Sequence, residues 1–153
     1  MNLHDIFTPD RIILRLKAED KDGAFEELVG RLTEATGIPR SEEFLKVIRD
    51  RELVMSTGIK NGVAIPHGKL DGLAEIIGVL GISQMGIDYN SLDNRPVHVI
   101  FLFLSPKDWP EEHLALLGGI SKFLENRKLV TALRAVRTAE SAARILRGDP
   151  ADA

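Results

Sequence analysis

The residues from Ser56 to Leu70 hold the types from which a reactive site could be built, and His67 stands among them as the candidate nucleophile. Gly58, Asn61 and Gly62 punctuate a turn, Val63 to Ile65 form a short apolar run suited to a buried strand, and Pro66 ends that run. Pro66 fixes its own φ and biases Ile65 toward an extended backbone, so the chain approaches His67 stiffly. Gly68 behind it is expected to remove a side chain that would crowd the ring. The expectation is a histidine that leaves the sheet where the backbone reaches the surface, within reach of another macromolecule. A neutral imidazole has one free lone pair and serves there as a nucleophile. An ordinary hydrogen-bonded surface histidine fits the same spacing, and spacing alone does not separate the two.

Arg51 and His113 are the other side chains of interest. Pro39 and Ser41 open a helix with Glu42 and Glu43 in its first turn, and Phe44 and Ile48 mark its inner face. Arg51 lies three residues beyond Ile48, so it falls on that face at the C-terminal end. Capping the last carbonyls is the default for an arginine in that place, and its planar fork of donors could also hold an anion. His113 follows Ser105-Pro106 and Pro110 and precedes Leu116 by three, which puts it one turn ahead of an apolar stripe of Leu116, Leu117, Ile120, Phe123 and Leu124. A buried histidine satisfied by a neighbour fits that position as well as a site residue does. His98 alternates with Ile100 and Leu102 and is read as a sheet-face histidine without a chemical role.

The elements that must position these residues follow from periodicity. Arg11 to Lys17 predicts a first strand. Asp20 predicts a helix cap, Phe25, Leu28, Val29, Leu32 and Ala35 an inner face, Glu26, Glu27 and Arg31 a solvent face, and Gly37 the stop. Lys69 to Glu75 reads as a polar connection, Ile76 to Ile82 as a buried strand, and Ser83 to Arg95 as loop. Val97 to Leu104 is the strongest strand signal and is expected to be central. Asn126 and Arg127 interrupt the helix after Pro110; Leu129 to Val136 and the residues after Thr138 predict two more. This order predicts an α/β fold, a three-layer α/β/α sandwich with a central mixed β-sheet. One domain is expected over 1–148, with a disordered tail at 149–153.

Bulk properties remove several classes of function. The 153 residues suit one domain that buries a core without staples, and a net charge of −3 supplies no field for nucleic acid. There is no cysteine, which excludes a disulfide scaffold, a thiolate metal site and a cysteine nucleophile. The N-terminus lacks the pattern of a signal peptide and no segment has the length of a membrane span, so a cytoplasmic protein without membrane insertion is expected.

The run Ser56-Thr57-Gly58-Ile59-x-Asn61-Gly62-Val63-Ala64-Ile65-Pro66-His67 resembles the active-site signature of fructose/mannitol-type enzyme IIA domains of the bacterial phosphoenolpyruvate-dependent phosphotransferase system, a group that includes the nitrogen-regulatory IIA proteins. Lys60 departs from the glycine common there. The resemblance runs over nearly the whole chain and implies the same fold. It implies that His67 carries a phosphoryl group on Nε2, that Arg51, matched with Glu52 to the family's Arg-Glu pair, lies beside it, and that His113 is the family's second histidine. An HPr-like phosphocarrier is then the donor, and a separate IIB protein or regulatory targets are the partners; a chain with no fused IIB acceptor favours regulation. No cofactor and no metal are implied. The N–H groups of the Gly58 to Gly62 turn are expected to help bind the anion. Met55, Ile59 and Leu70 are expected to form an apolar docking collar, with Lys60 and Lys69 at its rim. The alternatives are a zinc-dependent hydrolase built on His67 and His113, and a non-catalytic binding module.

Overall fold

The computed structural model describes residues 2–59 and 61–148. In chain order they form α1 (Leu3–Ile6), β1 (Ile12–Ile13), α2 (Lys21–Thr36), α3 (Ser41–Val54), β2 (Val63–Ala64), β3 (His67–Leu70), β4 (Ile77–Ile87), β5 (Val97–Pro106), α4 (Pro110–Glu125), α5 (Arg127–Ala135) and α6 (Ala139–Leu146). Lys60 and the expected tail at 149–153 lie outside the described residues.

Pleating makes β5 the axis of the fold. Val99, Phe101 and Phe103 point into a core shared with α1, α4, α5 and α6, while Ile100, Leu102 and Leu104 point into one shared with α2 and α3. All six are fully buried. β5 pairs antiparallel with β4 on one side and parallel with β2 and β3 on the other, and β1 runs parallel to β4 at the far edge. The result is a mixed sheet with helices on both faces, as the element order predicted.

Helix boundaries follow their capping residues. Asp20 accepts from the Gly23 N–H at the start of α2, Gly37 closes it at a φ of 73°, and Thr138 accepts from the Ser141 N–H ahead of α6. Asn126, read only as an interruption, caps α5 by accepting from the Lys128 and Leu129 N–H groups.

Elsewhere the structure corrects the sequence reading. The first strand shrinks to Ile12–Ile13 because Pro9–Arg11 forms a 3-10 turn, and α1 was not anticipated. Glu27 and Arg31 are half-buried and do more than face solvent: the Glu27 carboxylate accepts from the Lys17 and Ala18 N–H groups where the chain leaves β1, and Arg31 donates to the Ile12 carbonyl. The second half of β4 occupies the start of the expected loop. A bulge there, where Gly86 takes a φ of 90° and donates to Ser83 Oγ, breaks the alternation that would have marked a strand. β3 likewise replaces the beginning of the polar connection.

Candidate functional site

The chain enters the site through a hairpin. Asn61 and Gly62 both have positive φ, 59° and 77°, as an Asn-Gly hairpin turn requires, and flanking bonds run from the Ile59 N–H to the Val63 carbonyl and from the Ile65 N–H to the Thr57 carbonyl. β2 and β3 are one edge strand in a single register, with Ala64 opposite Ile100 and His67 opposite Phe103. Pro66 interrupts the ladder because it has no N–H to give; its carbonyl still accepts from the Phe103 N–H.

His67 therefore begins a strand, where the sequence reading had it leaving the sheet. Alternation places its side chain with Val63 and Ile65 on the face covered by α4. Gly68 points the other way, where a Cβ would collide with Val47 of α3, so its smallness serves helix packing and not the imidazole ring.

The His67 ring is half-buried and stacks on Phe103, with centroids 5.5 Å apart and planes 15° from parallel. Its Nδ1 lies 2.6 Å from the Ile65 carbonyl oxygen. A carbonyl only accepts, so Nδ1 carries the proton and the neutral ring keeps its lone pair on Nε2. Burial holds the pKa of His67 below the ordinary value. The Ile65 hydrogen bond opposes that shift, the charges of Arg51 and Lys69 add to it, and Glu52 opposes it.

His113 is brought alongside by the first turn of α4, which Pro110 starts. Its ring centroid is 5.4 Å from that of His67 and 5.0 Å from that of Phe103, so the phenyl ring is a shared floor. Only 4% exposed, it spends Nδ1 on Ser105 Oγ at 2.8 Å. Burial, then the adjacent His67 and Lys69, push its pKa down to about 4. Both imidazoles are thus neutral near pH 7, each with Nδ1 engaged and Nε2 left over.

Arg51 lies at the C-terminal end of α3, in the opposite layer, beside the edge strand. Its Nη1 donates to the Met55 carbonyl at 3.0 Å, which is the capping role, while its charge also acts on His67. The capping role read from the sequence is therefore present, and the guanidinium charge is felt at His67. Lys69, two residues beyond His67 on the same side of β3, adds a cation that acts on both imidazoles.

Glu52 was passed over in the sequence beyond its place in the Arg-Glu pair. Its carboxylate accepts from Lys21 Nζ at 2.9 Å, from the Thr57 N–H at 2.8 Å, from Thr57 Oγ1 at 2.6 Å and from the Tyr89 hydroxyl at 3.4 Å. This ties the end of α3 to the loop that leads into the hairpin. Burial and Glu52 both raise the Tyr89 pKa, so Tyr89 stays a neutral donor.

Two further expectations change. The N–H groups of Gly58, Ile59 and Asn61 are spent on Ser56 Oγ, the Val63 carbonyl and Asp93, so they do not line an anion pocket. Leu70 is buried on the α3 side and leaves the apolar collar, whereas Met55 and Ile59 are exposed, along with the unanticipated Leu53, Val54 and Leu114. Among the described residues no cluster of ligand-type side chains could hold a metal ion, so the hydrolase reading lacks a third ligand beside the two histidines. No helix there is long and apolar enough to cross a membrane.

Comparison with known proteins matches residues 5–148 to the family model for the phosphoenolpyruvate-dependent sugar phosphotransferase system, EIIA 2. A nitrogen regulatory protein of Bradyrhizobium diazoefficiens is 35% identical over 153 residues, covering 100% of this chain and 99% of that one. The crystal structure of nitrogen regulatory protein IIA-Ntr from Neisseria meningitidis superposes with a TM-score of 0.87 at 28% identity, over 94% of this chain and 98% of that one. The mannitol enzyme IIA from Escherichia coli, solved in complex with phosphorylated enzyme IIB, shares the fold, with a TM-score of 0.77 at 17% identity over 91% of this chain and 95% of that one.

Proposed function

The chain belongs to the EIIA 2 family of the phosphoenolpyruvate-dependent sugar phosphotransferase system, and from that premise we propose that it is a phosphocarrier whose phosphoryl acceptor is His67. The observation that carries this reading is the bond from His67 Nδ1 to the Ile65 carbonyl, which leaves a lone pair on Nε2 beside a second imidazole. Nε2 attacks the phosphorus of an HPr-like carrier's phosphohistidine; the new N–P bond forms as the carrier's N–P bond breaks. His67 keeps its Nδ1 proton on Ile65 throughout, so no general base is required.

The transfer asks for placement and for charges around the equatorial oxygens more than for covalent chemistry by the protein. Arg51 and Lys69 supply positive charge, and His113 donates from Nε2–H when Ser105 Oγ–H donates to its Nδ1. The exposed Leu53, Val54, Met55 and Leu114 suit a docking face for the carrier. Likeness to a nitrogen regulatory protein along nearly all of both chains supports a regulatory output, in which the phosphorylated and free forms are read by target proteins. A separate IIB protein is the acceptor in the transport variant of the same reading.

Incubation with phosphoenolpyruvate, enzyme I and the carrier is expected to place one acid-labile phosphate on His67, located by mass spectrometry. His67→Ala, checked for an unchanged circular dichroism melt, should take up none. Label persisting on that variant overturns the assignment.

A further inference from the structure

The sheet face that carries His67 has a second concavity at its other end. The turn before β2, the start of β5, the last turns of α4 and one flank of α5 enclose a cleft of about 780 Å³, a size typical of small-molecule sites. Arg95 enters it from the segment ahead of β5, and Arg127 and Arg134 enter from α5; Glu125 is the only carboxylate among the lining residues. None of the three guanidiniums makes an ion pair or a side-chain hydrogen bond among the described residues, although the charge of Arg95 is felt by Asp93.

Arg11, Arg15, Arg137 and Arg147 also make no ion pair or side-chain hydrogen bond among the described residues, but here three such side chains line one cleft. Other arginines are engaged. Arg40 is paired with Glu43, Arg49 reaches Asp22 and Glu26, and Arg31 and Arg51 donate to carbonyls. Three guanidiniums around one cleft, none of them in an ion pair, repel one another, and an anion entering it relieves that repulsion. Arg127 and Arg134 are two helical turns apart, so they emerge on one flank of α5 about 10 Å apart along the axis. That spacing suits two anionic groups better than one. Between them Val63, Leu124 and Val130 provide an apolar wall for an organic body.

We propose that this cleft binds a small organic molecule carrying two phosphate groups, at a site separate from His67. Planar guanidinium forks match phosphate oxygens bidentately, which is the chemistry that selects phosphate over a diffuse anion. The separation follows from α4. His113 stands in its first turn and Ser121 to Glu125 in its last ones, at least about 12 Å further along the helix.

The test is calorimetric titration of the full chain, at constant ionic strength, with ADP and with adenosine 3′,5′-bisphosphate, which hold their phosphates together and apart. Inorganic phosphate and adenosine are the controls. At least one bisphosphate should bind saturably and at least tenfold more tightly than either control. Arg127→Gln and Arg134→Gln should each weaken that binding about tenfold, as the loss of one charge-assisted partner implies. Arg127→Lys, which keeps the charge and loses the fork, should also weaken it. All three variants should keep the melting temperature and the rate of His67 phosphorylation. Absence of saturable binding by both bisphosphates, affinity no better than the controls, or affinity indifferent to the substitutions overturns the proposal.

Discussion

Two buried polar groupings flank the same edge of the sheet, and they differ in how completely their hydrogen bonds are used. Around Glu52 the accounting closes: one carboxylate takes donors from Lys21, Thr57 and Tyr89, and its charge is matched by the Lys21 ammonium. Around His67 and His113 each ring has one nitrogen held and one left over. Burial with full satisfaction fixes a loop, because every group loses something if it moves. Burial with half satisfaction instead keeps an imidazole neutral and its lone pair available at ordinary pH. The two are linked, since Glu52 opposes the effect of Arg51 and Lys69 on His67.

Breaking the satisfied cluster should have the largest effect. Glu52→Ala leaves Lys21, Thr57 and Tyr89 without their common acceptor and should cost about 3 kcal/mol of stability, measured by urea unfolding. A loss under about 1 kcal/mol would place the pair with weak surface ion pairs and remove the contrast.

Protonating the half-satisfied pair leaves stability untouched near neutral pH and acts only in acid, and its sign is fixed. His113 has a folded pKa of about 4 against an ordinary value of about 6.5, and that of His67 is lowered too. Depressed folded values mean that the unfolded chain takes up protons first. Stability should therefore be full above about pH 6.5 and fall as the pH drops toward 4. Thermal unfolding between pH 7.5 and 4.5 measures this, and His113→Asn should flatten the profile. An unchanged profile in that variant would show that His113 does not titrate with folding.

Ser105→Ala should have the smallest effect and the sharpest meaning. It removes the partner of His113 Nδ1, and the loss of one neutral hydrogen bond, about 1 kcal/mol, corresponds to roughly fivefold slower phosphorylation of His67. The ¹⁵N shifts of the His113 ring should move as its proton redistributes, and Ser105→Thr should restore both shift and rate. Identical ring shifts in the Ala variant would show that Ser105 does not set the tautomer.

Residue order alone was enough for the parts governed by short-range rules. Asp20, Gly37, Thr138 and Pro110 set helix ends through local capping and φ preferences, and the near-continuous apolar run from Val97 to Leu104 marked the central strand. His67, His113 and Arg51 were legible as candidates because the motif and the helical spacing are local too. Which groups their atoms meet depended on how the elements pack. The Ile65 carbonyl and Ser105 fix the ring nitrogens across turns and between elements, and Glu52 finds Lys21 and Tyr89 at sequence separations of 31 and 37. Gly68 shows the limit most plainly. Its smallness was visible in the sequence, but whether it cleared space for an imidazole or for Val47 depended on which face of the sheet it turned to, and strand pairing with β5 set that.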